Sequence, residues 1–168
     1  MADVFDPTKR SAVMAKIRGT GNRSTELTVV RGFRSAHVTG WRRHVTFTFR
    51  VQVPAGSVVA ANTQVVKVRP DFIFRRARLA IFVDGCFWHC CPLHSKVPES
   101  NRSFWEPKLQ ANVARDRRAN QLLRGAGWSV MRIWEHELRD VGRFVKKVER
   151  RIKARDHRAP IFVNGEKS

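Results

Sequence analysis

Leu79-Ala80-Ile81-Phe82-Val83-Asp84-Gly85-Cys86-Phe87-Trp88-His89-Cys90-Cys91-Pro92-Leu93-His94 runs from an apolar segment straight into reactive side chains. Leu79 to Val83 is a short apolar run, which reads as a buried strand. Val83 to His94 holds all 3 cysteines, two of the 6 histidines, a carboxylate and the adjacent rings of Phe87 and Trp88. A core strand has no need of that mixture. An active site beside a metal does.

Working outward, Asp71 to Phe74 is a second short apolar strand, set off from the first by Arg75-Arg76-Ala77-Arg78. Residues 44–53 alternate Val45, Phe47, Phe49, Val51 and Val53 with polar neighbours, a half-buried strand pattern. Pro54-Ala55-Gly56-Ser57 is turn chemistry, and Val65 to Val68 reads as the returning strand of a hairpin. Residues 8–19 predict a short helix with Val13, Met14 and Ile17 on one face. Capping-type sequence at Asn22-Arg23-Ser24-Thr25-Glu26 predicts a second, running to about Phe33. Residues 95–103 read as a polar loop. Trp105 to about Arg124 predicts a helix with Pro107 in its first turn and Gly125 and Gly127 as the stop. Trp128 to Trp134 predicts a further strand, and Val141, Phe144, Val145, Val148 and Ile152 mark an amphipathic terminal helix. This order describes one α/β domain over residues 1–155, with a mixed central sheet flanked by helices. Residues 156–168 are expected to form a mobile tail.

The chain carries 33 Lys+Arg against 14 Asp+Glu, a net charge of +19 over 168 residues, with 42% hydrophobic residues. Such a field draws polyanions, nucleic acid first and an anionic membrane surface second. No apolar stretch approaches the roughly 20 residues of a spanning helix, so no membrane span is expected. Met1 to Asp6 lacks the pattern of a signal peptide. An odd number of cysteines, two of them adjacent, argues against a disulfide framework. A reducing, cytoplasmic setting and a metal site fit better.

Cys86, Cys91 and His94 lie close in sequence, and His136 ends a strand that could pair near Leu79 to Val83. Two thiolates and two imidazoles would complete a closed tetrahedral zinc site. The spacing is not that of a standard zinc finger, and small buried cysteines beside a surface histidine would read the same. Cys90 is the alternative to Cys91. Asp71 and Asp84 stand at strand ends and could flank one divalent cation, or pair with nearby arginines. His89 could be a metal ligand or a general base. Phe87-Trp88 and Phe104-Trp105 lie in or beside polar loops, where rings either pack or wedge between base pairs. Lys108, Asn112 and Arg115 share one face of the predicted helix, either a solvated face or a base-reading and phosphate-holding one.

Together these residues resemble the very short patch repair (Vsr) DNA mismatch endonucleases. The carrying motifs are Lys9-Arg10-Ser11 with Met14 and Ile17, Glu26, Pro70-Asp71-Phe72, Val83 to His89 and Cys91-Pro92-Leu93-His94. Further along they are Phe104-Trp105 with Lys108, Asn112 to Arg118, and Gly127-Trp128 leading to Trp134-Glu135-His136. The resemblance implies a restriction-endonuclease-like fold with an added structural zinc. It implies Mg²⁺-dependent nicking 5′ to the thymine of a T·G mismatch left by deaminated 5-methylcytosine. It gives Asp71 and the Val83 carbonyl to Mg²⁺, the general-base role to His89 and an assisting role to Glu26. Asp84 joins this catalytic group at a position that is histidine in some members. Cys86, Cys91, His94 and His136 resemble the zinc set. Phe87, Trp88 and Trp105 resemble intercalating rings, and Lys108 and Asn112 match base-contacting positions. Double-stranded DNA, mismatch-repair proteins and a bacterial, nucleoid-associated monomer complete that picture. Residues 50–68 depart from it as a longer link, read as an extended hairpin, and Cys90 stands where glycine is common. Cutting undamaged duplex at a fixed site, or binding DNA without catalysis, are the alternatives.

Overall fold

A computed structural model describes residues 23–52, 63–99 and 101–156. The helix expected over 8–19, the turn at 54–57 and the tail beyond Asp156 lie outside them. Helix α1 spans Arg23–Ser35, followed by strands β1 Trp41–Arg43, β2 Phe47–Gln52, β3 Thr63–Val68, β4 Phe72–Phe74 and β5 Leu79–Asp84. Helix α2 spans Arg102–Gly125, strand β6 Ser129–Trp134, a 3-10 turn Glu135–Asp140 and helix α3 Val141–Asp156.

The main sheet has the order β1-β4-β5-β6. The β1–β4 and β4–β5 pairs are antiparallel and β5–β6 is parallel, so the sheet is mixed, with helices against it as expected. The alternation of strand side chains decides which helix covers which face. Phe72, Phe74, Leu79, Ile81, Met131 and Ile133 point to one side, where Val29, Phe33, Phe144, Val145 and Val148 of α1 and α3 bury them. The two helices pass closely at Gly32, where a Cβ would stand 2.6 Å from Val141 Cγ2. Ile73, Ala80 and Val130 point to the other side, against Leu122 and Leu123 of α2 and Phe47, Phe49, Val66 and Val68 of the ribbon.

β2 and β3 form that separate two-stranded ribbon, in register from Phe47↔Val68 to Gln52↔Thr63. The expected hairpin is thus present on both sides of the undescribed residues 53–62. Its start differs from the alternation, which suggested one strand from residue 44. His44 takes φ +53, a left-handed conformation that breaks the extended chain. The chain therefore divides into β1, which the sequence pattern missed, and β2. Helix α2 begins at Arg102, ahead of the predicted Trp105, so Pro107 lies inside the helix and not in its first turn. Its stop follows from glycine: Gly127 takes φ +79, and its N–H donates to the Arg124 carbonyl at 2.9 Å. No helix among the described residues is long and apolar enough to cross a membrane.

Candidate active site and metal centre

β5 and β6 run parallel with Asp84 opposite Trp134, so the segments carrying Cys86 and His136 leave the sheet side by side. The Cys86 N–H donates to Glu135 Oε1 at 2.9 Å and ties those two exits together. The chain after Cys86 closes on itself, with the Cys91 N–H donating to the Cys86 carbonyl at 2.9 Å and the Ser95 N–H to the Cys91 carbonyl at 2.9 Å. Cys86 Sγ consequently lies 3.1 Å from His136 Nδ1. Cys91 Sγ lies 3.7 Å from His94 Nδ1 and 3.8 Å from His136 Nδ1. One donor atom from each of the four side chains falls within 4.8 Å of the others. Cys90 takes φ +56 and stands outside this quartet.

Both quartet thiols are free and buried. Burial pushes Cys86 up to about 11; a hydrogen bond with the His136 backbone opposes the rise, and Cys91 and Glu135 add to it. Metal ligation requires the thiolate. A cation among these groups would supply the charge that burial withholds, and two thiols with two imidazoles are a zinc donor set.

The second group forms where α1 meets the β1 and β4 ends. Glu26 in the first turn of α1 is buried and points at the sheet. Its Oε2 accepts from Arg43 Nη2, and His44 Nε2 lies 2.7 Å from the same oxygen. Asp71 continues the ladder beyond β4: its N–H donates to the Ile81 carbonyl at 3.0 Å, and its Oδ2 accepts from the Val83 N–H at 2.7 Å. Ligand atoms of Glu26, His44 and Asp71 lie within 4.8 Å of one another. Burial raises Asp71 to about 6; the Val83 N–H and His44 oppose the rise, and the charges of Glu26 and Asp84 add to it. Glu26 Oε1 is buried and has no hydrogen-bond partner among the described residues. Crowded, buried carboxylate oxygens of this kind suit a hard divalent cation.

His89 forms a third group. Its Nδ1 lies 2.6 Å from Asp116 Oδ2 and 3.8 Å from Asp84 Oδ1. Arg132 holds both acids, with Nη2 at 2.9 Å from Asp116 Oδ1 and a two-point contact to Asp84 at 2.5 and 2.7 Å. Burial pushes His89 down, but the Asp116 hydrogen bond and the Asp84 and Asp116 charges outweigh it, so the imidazole sits above its ordinary value. Burial likewise opposes ionisation of Asp116, yet His89 and Arg132 hold it below the ordinary range. With Nδ1–H donating to Asp116, Nε2 is the nitrogen left for a substrate.

The fourth group is aromatic. Phe87 lies 5.3 Å from both Trp88 and Trp105, each at an interplanar angle of 80°. Phe104 stacks edge-on to Trp105 at 5.1 Å. Lys108 Nζ lies over Trp88, Phe104 and Trp105 at 5.5, 5.2 and 5.8 Å. Phe104 is 59% exposed and Trp105 only 5%. Trp105 is therefore the buried support of the cluster, and Phe87 and Trp88 are half-buried at its rim.

The structure thus brings Cys86, Cys91, His94 and His136 together, and Glu26 with Asp71. It sets Asp84 apart from that pair, in an ion pair with Arg132. Asn112 donates to the Trp88 carbonyl at 3.2 Å and accepts from Arg115 at 2.8 Å, so its amide props the aromatic loop. Lys108 and Arg115 remain exposed on α2. His44 and Arg132 escaped the sequence pattern, and Asp116 lay in the Asn112 to Arg118 motif without a role. Asp116 carried one available signal, lying four residues past Asn112 on the same face of α2. Arg132 carried none, because a charged residue within a short strand reads as solvated, whereas this one faces α2 and meets Asp116 and Asn120.

The family model described as "DNA mismatch endonuclease Vsr" matches residues 53–94. A DNA mismatch endonuclease Vsr of Escherichia coli is 36% identical over 141 residues, covering 83% of this chain and 77% of that protein. The chain belongs to the Vsr family. A second relative, the type II nicking enzyme V.XorIIP of Xanthomonas oryzae pv. oryzae, is 33% identical over 144 residues, 84% of this chain and 90% of that one. The type II nicking enzyme V.NaeI of Lentzea aerocolonigenes is 56% identical over 72 residues, 43% of each chain.

Proposed function

We propose that this Vsr-family chain is a Mg²⁺-dependent DNA endonuclease that nicks one strand 5′ to the thymine of a T·G mismatch. The observation that carries the reading is the Glu26–Asp71 carboxylate pair, joined through β5 to an Asp116-held histidine in the next loop. Asp71, Glu26 and the Val83 carbonyl would hold Mg²⁺, which lends the charge that polarises the scissile phosphate and stabilises its departing oxygen. His89 accepts a water proton at Nε2, while Asp116 keeps the opposite proton at Nδ1 and steadies the imidazolium that forms. The water oxygen gains a bond to phosphorus as one P–O bond of the strand breaks.

Cys86, Cys91, His94 and His136 would hold a structural Zn²⁺. That cross-link fixes both ends of the loop that presents Phe87, Trp88 and His89, and so couples ring placement to the catalytic histidine. The rings of Phe87 and Trp88 enter the stack beside the mispair, where unstacking is cheapest. Trp105 supports them from beneath. Lys108 and Arg115, with the net charge of +19, hold the phosphate backbone.

A second reading has the same chemistry acting at a fixed site in undamaged duplex. Two relatives named type II nicking enzymes favour it, V.XorIIP and V.NaeI. Strand-resolved nicking of matched and T·G duplexes in several sequence contexts, with and without Mg²⁺, separates the two. Metal-dependent cutting of one strand confined to T·G supports repair; equal cutting of matched DNA supports site-specific nicking.

A further inference from the structure

His44 sits in the carboxylate group with no part in the chemistry above. Its backbone holds φ +53, a conformation that disfavours residues with a side chain. Its N–H donates to the Asp71 carbonyl at 3.2 Å, one step past the Arg43↔Phe72 pair. The strand breaks there, and the imidazole turns toward Glu26, with Nε2 at 2.7 Å from Oε2. Arg43 occupies the same oxygen. Glu26 Oε1 is left buried and without a hydrogen-bond partner among the described residues, in a side chain 3% exposed. A buried carboxylate oxygen without a partner is costly, so its retention beside Asp71 and an imidazole points to an occupant.

We propose that His44 is a further ligand of the cation held by Glu26, Asp71 and the Val83 carbonyl, and that its nitrogen makes this site favour Mn²⁺ and Co²⁺ over Mg²⁺. The proposal rests on reading Glu26 and Asp71 as a cation site. Mg²⁺ takes oxygen ligands almost exclusively, whereas an imidazole suits later divalent metals and their affinity rises along the Mn²⁺ to Co²⁺ series. One ligand atom from each of His44, Glu26 and Asp71 already lies within 4.8 Å of the others. A merely structural His44 would do no more than steady Glu26 by a hydrogen bond.

The test uses the full chain with its zinc loaded and Mn²⁺ as the probe. Pulsed electron paramagnetic resonance reads nitrogen coupling to Mn²⁺, and calorimetric titration gives affinities for Mn²⁺, Co²⁺ and Mg²⁺. Wild-type protein is expected to bind one further Mn²⁺ with histidine coupling, and Asp71→Asn to lose that ion. His44→Ala and His44→Gln should both lose the coupling and roughly tenfold in Mn²⁺ and Co²⁺ affinity, while Mg²⁺ affinity changes by no more than about twofold. The Gln variant keeps a group able to bond Glu26, so retention of Mn²⁺ affinity there would assign His44 a steadying role and overturn ligation. Asp71-dependent Mn²⁺ without nitrogen coupling, or with coupling that survives His44→Ala, would also overturn it and leave the cation site standing. No Asp71-dependent Mn²⁺ at all would overturn the cation site itself.

Discussion

Replacing Arg132 with Met removes the cation that joins Asp84 to Asp116. Asp84 is 3% exposed and takes two contacts from Arg132, at 2.5 and 2.7 Å. Removing one partner of a buried pair strands the other charge, at a cost of about 3–5 kcal/mol. The guanidinium also lies 4.6 Å from the Phe82 ring, a contact that contributes roughly 0.5–1 kcal/mol. Met keeps most of the apolar stem, and Asp116 at the rim can turn to water, so the net loss should be about 3–4 kcal/mol. For a domain of this length that lowers Tm by roughly 6–16 °C. The assay is urea and thermal unfolding of both proteins at one fixed free zinc concentration, since any bound metal shifts apparent stability. Asp84→Asn placed on Arg132→Met should recover at least half of the loss, because no charge is then stranded. A loss under about 1 kcal/mol in the single variant, or a double variant equal to the sum of the singles, would refute the assignment of Asp84 to a buried ion pair.

Asp71 titrates near 6 rather than 3.8, because burial and the charges of Glu26 and Asp84 disfavour its carboxylate. Its contribution to stability is therefore present below the unfolded value and lost as pH rises through about 6, so without added Mg²⁺ Asp71→Asn should be more stable than wild type by about 2–3 kcal/mol at pH 7.5. That advantage should vanish by about pH 4, and pH-independent melting differences would count against it. Elemental analysis should find one zinc per chain, and His136→Ala should lose both the zinc and the fold of residues 86–94; protein purified without chelator and free of zinc would exclude the metal centre. Trp88→Ala should reduce nicking of a T·G duplex more than it reduces binding to a matched one, and equal losses on both would argue against ring insertion.

The strands that build the site were legible because their runs are short and mostly apolar: Asp71 to Phe74, Leu79 to Val83, and Trp128 to Trp134, interrupted by Ser129 and Arg132. The clustering of Cys86, Cys91, His94 and His136 was legible for a different reason. Thiols and imidazoles are rare enough that a cluster after a buried strand stands out, and the parallel Asp84↔Trp134 register then delivers His136. Backbone choices left weaker traces. Nothing in Arg43-His44-Val45 signals that His44 will adopt φ +53, and that one residue both splits β1 from β2 and aims an imidazole at Glu26. The choice between Cys90 and Cys91 likewise depended on a local turn. The Asp84–Arg132–Asp116–His89 network spans positions far apart in sequence, and an alternation pattern shows only which face a residue takes, not which partner it meets. Trp105 looked like Trp88 in sequence; the packing of α2 buried one and left the other at the rim.

The most direct measurement is single-turnover nicking of one T·G duplex by wild type, Asp71→Asn and His89→Gln, with duplex affinity measured in parallel at low salt. Wild type should nick one strand only when a divalent cation is present. Both variants should bind the duplex within about threefold of wild type and nick at least roughly a hundredfold more slowly, since each removes a group acting on the reacting phosphate or water. Nicking at the wild-type rate by Asp71→Asn would contradict the assignment of the active site to the Glu26–Asp71–His89 end of the sheet.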